Sequence, residues 1–149
     1  MANDYRVPVV KVAAALYTSS GTRHEVTIFM PPGQRIEDLL EAAEPFFAVN
    51  EAGKFCLYAR RAIACAELED TRQDGPLTDE VSGLPLEERG LSVHLREGGH
   101  LSGFIRFVPY QSVSRPVDVL NQPSRSFALY DGKLVRHVVK DHVERVEEI

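Results

Sequence analysis

Between residues 91 and 108 the chain alternates almost without a break. In LSVHLR (91–96), Leu91, Val93 and Leu95 fall on one face and Ser92, His94 and Arg96 on the other. A period of two is that of a half-buried strand. EGGH (97–100) reads as a turn in which Gly98-Gly99 supply positive φ, and LSGFIRFV (101–108) as the return strand, ended by Pro109. The pattern then predicts a short helix from Pro116 to Gln122, a strand in SFALY (126–130), a type I′ turn at Asp131-Gly132, a strand in KLVRHVV, and a last one in VERVEEI.

The first part of the chain follows the same plan. KVAAALYTS and HEVTIFM read as paired strands and IEDLLEAAE as a helix with Leu39, Leu40 and Ala43 on one side. FFAVN, KFCLYAR and AIACAEL read as three further strands. The predicted order is β-β-α-β-β-β, twice, in a mainly β protein. Self-similarity supports an internal duplication. In the first strand pair a shift of 78 matches Gly21 with Gly99, Phe29 with Phe107 and Pro31 with Pro109. From the next arginine a shift of 80 matches Arg35 with Arg115, Asp38 with Asp118, Leu40 with Leu120, Phe47 with Phe127, Ala48 with Ala128 and Glu67 with Glu147. The expected organisation is a first repeat over 1–68, an acidic Pro/Gly-containing linker over 69–89, and a second repeat over 90–149. A unit of this size buries too little alone, so the halves are expected to pack together.

Short strands expose edges, and closure into a small bent five-stranded barrel would hide them. The element order resembles that of Sm-like and SH3-like small barrels, with the helix here between the second and third strands. The DVLN text at 118–121, followed by Phe127 and Leu129, is similar to that of small bacterial β-domains of no known activity. The resemblance extends to element order only and brings no nucleic-acid motif of the Sm family.

Composition narrows the function. The hydrophobic fraction of 44% and charged fraction of 26% are those of a globular protein. The net charge of −5 is concentrated in residues 67–89, which carry eight Asp/Glu and two Arg, a net of −6 that leaves the rest at +1. No basic stripe is available for a phosphate backbone, which disfavours an RNA-binding, Sm-like role. No apolar run is long enough to span a bilayer and no signal peptide is read at the start, so the expectation is a cytoplasmic protein away from membranes. Cys56 and Cys65 lack metal or redox spacing and read as core residues. The five histidines, His24, His94, His100, His137 and His142, show no metal spacing. With no catalytic constellation, P-loop or GxGxxG, the expected class is non-catalytic, with no cofactor and no metal.

One motif recurs: RIEDLL at 35–40 and RPVDVL at 115–120. Pro116 disfavours helical geometry for Arg115 and suits the first helical position, which makes Asp118 the third helical residue. A carboxylate there meets free backbone N–H groups and the positive helix end. The first reading is a start-of-helix device with an Arg–Asp pair. The second makes Arg35, Asp38, Arg115, Asp118, Ser114 and Arg125 a binding site for an anion or acidic partner, with Ser112, Ser124 and Ser126 as neighbouring hydroxyls. The functional expectation is an interaction, adaptor or regulatory module for a protein or peptide partner, homo-oligomer included. The alternative is a small-anion or nucleotide sensor using Arg35 and Arg115.

Overall fold

The computed structural model describes residues 8–71, 79, 82–109 and 113–149. Nine residues of the expected linker (72–78, 80, 81) and residues 110–112 lie outside them. The protein is mainly β. The first half runs β1 (Val10–Thr18), β2 (Arg23–Met30), α1 (Ile36–Glu41), β3 (Phe46–Glu51), β4 (Lys54–Ala59), a 3-10 turn at Arg60–Ala62 and β5 (Ile63–Glu69). The second runs β6 (Glu87–Leu95), β7 (His100–Phe107), α2 (Pro116–Leu120), β8 (Ser126–Asp131), β9 (Leu134–Val139), a 3-10 turn at Lys140–His142 and β10 (Val143–Glu148). No helix among the described residues is long and apolar enough to cross a membrane.

The helices are shorter than the apolar pattern suggested. Pro45 disfavours helical geometry before it, and the chain is already extended at Ala42 (φ −64°, ψ 153°). The turn between β8 and β9 centres on Gly132-Lys133, not Asp131-Gly132, because Asp131 pairs with Leu134. Gly132 has φ 60° and Lys133 does not share the positive sign, which is the φ pattern of a type II′ turn.

Both halves pair their strands alike, in the orders β5-β1-β2-β3-β4 and β10-β6-β7-β8-β9. The β3–β4 and β8–β9 registers agree at the expected shift of 80: Phe46 faces Ala59 as Ser126 faces Val139. The first hairpins agree at 77, one residue less than the sequence match. Gly21 and Gly98 hold the same place, with φ of 90° and 100° and N–H bonds to Thr18 and Leu95 carbonyls at 2.9 and 3.1 Å. Ile28 then matches Ile105 and Met30 matches Phe107, all buried. The expected Phe29–Phe107 match is therefore off by one residue, which in a strand moves a side chain to the opposite face. Gly99 does not need positive φ. It is needed for space, since a Cβ there would lie 2.8 Å from Leu95 and 3.3 Å from the Gly21 backbone.

The closing ladder forms between halves. Within a half the fourth and fifth strands are not neighbours; β5 instead pairs with β9, giving one antiparallel ten-stranded sheet that ends in β10 and β4. β5 is a shared wall. Its Ile63 and Ala66 belong to the first apolar cluster, with Leu16, Ile28, Leu40 and Val49, and its Ala64 and Cys65 to the second, with Leu91, Val93, Ile105 and Leu129. Burial on both faces explains why AIACAEL lacks polar alternation. Along the junction lies Glu67, only 5% exposed, which accepts from Tyr17 Oη at 3.0 Å, Arg136 Nε at 2.9 Å and Arg23 Nη2 at 3.5 Å. Arg136 also donates to Asp131 at 2.7 Å.

The helix α1 clips the halves together from outside. It packs on β8 and β9, with Val139 reaching the first cluster and Glu41 accepting the Arg125 backbone N–H at 3.0 Å. Glu37 lies 3.5 Å from Nδ1 of His137, a nearly buried β9 residue whose Nδ1 has no hydrogen-bond partner among the described residues. Burial lowers the His137 pKa from its ordinary value, and the Glu37 charge opposes this only in part.

Two outcomes are expected. Removing one partner of a buried ion pair leaves the other uncompensated, so Glu67→Ala should cost about 3–5 kcal/mol of unfolding free energy in urea melts. Glu67→Leu with Arg136→Met should cost less than either change alone. For His137 the unfolded chain takes up a proton before the folded one does. Its contribution is therefore full above about pH 6.5 and is lost as pH falls toward the lowered folded pKa. Between about pH 7.5 and pH 5.5 the urea midpoint should fall less in His137→Leu than in the parent.

Candidate functional site

The helix starts account for the repeated motif. Arg115 is the N-cap of α2, extended at φ −130° and ψ 157°, and Asp118 is the third helical residue. The Asp118 carboxylate accepts the backbone N–H groups of Ser114 (3.2 Å) and Arg115 (3.0 Å), and the Arg115 side chain through Nε (3.2 Å) and Nη2 (3.1 Å). The guanidinium is the main reason that the Asp118 pKa sits below the ordinary carboxylate range. In α1, Asp38 accepts the Arg35 N–H at 2.9 Å, while the Arg35 side chain lies 3.6 Å from Glu37 and 4.0 Å from Asp38. Both arginine side chains are more than two-thirds exposed. Each works within its own helix start, and each is already engaged by a local carboxylate.

Arg125 stands elsewhere. It lines a cleft of about 640 Å³ between the halves, with Arg60 and Arg61 after β4 and Arg96 and His142 from the second half; Glu44, Glu97 and Asp141 stand around it. Arg60 donates from Nε to the Leu39 carbonyl at 2.6 Å and lies 5.4 Å over the Phe47 ring. Its Nη1 is buried with no hydrogen-bond partner among the described residues. Of the six motif residues, only Arg125 reaches this cleft. The arginines around it sit in turns and lacked any common spacing that would have marked them in sequence.

Three large apolar side chains of the β3–β4 hairpin are exposed. Phe55 is 70% exposed, Leu57 60% and Phe46 57%. Ala48 stands opposite Leu57, so these side chains share one face of an edge hairpin. The other face holds Cys56 and Tyr58 against the core, and Tyr58 donates to Glu51, whose pKa it lowers together with His24. KFCLYAR reads as an ordinary alternating strand; only the sheet order shows that its outer apolar residues are uncovered.

A polar cluster on β6, β7 and β10 gathers residues that share no motif spacing in the sequence. His94 and His100 are cross-strand partners with rings 4.9 Å apart, and Ser92 Oγ lies 2.6 Å from His100 Nε2. The turn position and strand alternation together would have paired them. Glu147 lies 3.1 Å from His94 Nε2, the same nitrogen that faces Ser92 at 3.4 Å. A serine–histidine–acid relay needs the two ring nitrogens to face different partners. Burial raises the pKa of the Cys65 thiol, which keeps it from acting as a thiolate.

No protein-family model matches this chain, and neither a curated protein nor a solved structure is significantly similar to it.

Proposed function

We propose that this protein is a non-catalytic interaction module that captures an extended protein segment along β4. The observation that carries this reading is a sheet edge with no strand partner among the described residues, combined with an exposed apolar face on the same strand. Edge strands in natural proteins are commonly shortened, charged or covered. An edge that presents phenylalanine and leucine supplies main-chain groups for strand addition and side-chain anchors for specificity. Acting as an adaptor or regulator in the cytoplasm, as one chain or several, is part of the same reading.

A second reading has one observation in its favour. The cleft between the halves is lined by four arginines, and one of them, Arg60, has an Nη1 with no hydrogen-bond partner among the described residues. A small anion or the phosphate of a nucleotide would supply one. Under this reading the anion sits at Arg60 and Arg125, not at Arg35 and Arg115.

Strand capture predicts that an eight-residue peptide alternating valine and serine, which carries no side-chain charge, binds the wild-type chain, as measured by fluorescence anisotropy. Leu57→Arg should weaken it about tenfold or more. Equal affinity for the variant would sink the reading. For the cleft, phosphate at about 100 times its dissociation constant should stabilise the fold by about 2.7 kcal/mol in thermal melts. A shift that survives Arg125→Ala would move the site.

A further inference from the structure

We propose that copies of this chain join head to tail, with β10 of one copy pairing with β4 of the next in the register that β5 and β9 already use. The inference rests on reading β4 as a capture edge and names its occupant as a second copy. The sheet order carries it. The junction inside the chain joins the fifth strand of one half to the fourth strand of the other, and it leaves a fourth strand, β4, and a fifth, β10, at the two ends of the sheet. These ends are the counterparts of the two strands that meet at the junction, once each. A contact of this heterologous kind can repeat from copy to copy.

The matching positions are known to the residue. Ala66 faces His137, Glu67 faces Arg136 and Leu68 faces Val135 across the internal junction. Their counterparts place Val146 opposite Leu57, Glu147 opposite Cys56 and Glu148 opposite Phe55. Even the irregularity is shared: β5 skips a residue against β1 between Ile63 and Cys65, as β10 does against β6 between Val143 and Arg145.

Two features fit the open ends to each other. Inside the chain, Glu37 of α1 lies over His137 of β9 at 3.5 Å. The residues in those places at the ends are Val117 of α2, 48% exposed, and Leu57 of β4, 60% exposed. A polar pair is thus exchanged for an apolar pair, and both of its members are uncovered in the single chain. Charge also matches. Residues 54–61 carry one Lys and two Arg with no acid, and residues 143–149 carry three Glu and one Arg. The Glu41–Arg125 bond has no counterpart, because Pro45 in the matching place has no N–H. The junction between copies is therefore weaker than the one within the chain.

Head-to-tail geometry has a signature in mixing. Leu57→Arg blocks the β4 end and Val117→Arg the β10 end. By light scattering at about 100 µM, wild type should exceed the monomer mass, and each variant, folded by circular dichroism, should be monomeric. Their equimolar mixture should form a two-copy species that grows no further, because one working end remains on each variant. In an otherwise wild-type chain, Glu147→Cys should form an intermolecular disulfide with Cys56, and Glu148→Cys, on the opposite face, should not. This second arm does not depend on how the arginine variants fold. A monomeric wild type, a mixture that stays monomeric, or linkage through position 148 alone would overturn the proposal. If wild type is monomeric yet still binds the valine–serine peptide in a Leu57-dependent way, the second copy is refuted and strand capture stands.

Discussion

The pairing of β5 with β9 decides almost everything else in this molecule. A strand that lies between two cores must be apolar on both faces, and β5 gives Ile63 and Ala66 to one and Ala64 and Cys65 to the other. The ladder fixes where α1 lands, because a helix following β2 can then cover β8 and β9 of the other half. It also fixes which edges stay open. Had each half closed on itself, no end would remain; joining the halves through one junction leaves β4 and β10.

The polar groups at the junction are placed where the ladder gives them partners. Glu67 is buried, but three donors reach it, and Arg136 is held in turn by Asp131. Such a network sets register more than it adds stability, since a shift of one residue would leave its charges unpaired. α1 adds His137 against Glu37 and the Arg125 N–H against Glu41, both specific to the inner junction. The outer ends lack these polar contacts and carry valine and leucine instead. The cleft between the halves follows from the same arrangement, as it forms where the turn after β4 meets the turns of the second half.

Much of this was legible in the sequence, for local reasons. Period-two alternation located the strands, and Pro116 with Asp118 located the start of α2. Other features were not local. The match of Phe29 to Phe107 followed residue identity where burial should have decided, and it slipped by one. The β5–β9 pairing joins residues about seventy apart, and only the unbroken apolar text of AIACAEL hinted at it. The arginine motif recurs in both halves, each time at the start of a short helix. The exposed Phe55 and Leu57 sit in a strand like any other, and their meaning depends on its place in the sheet.

Native-state hydrogen exchange along β5 and β9 tests the central claim most directly. If this ladder holds the two halves as one sheet, its amides should exchange only through the global opening that also exposes β1–β2 and β6–β7. Exchange of the β5 and β9 amides by a lower-energy local opening, with both hairpins still protected, would contradict it.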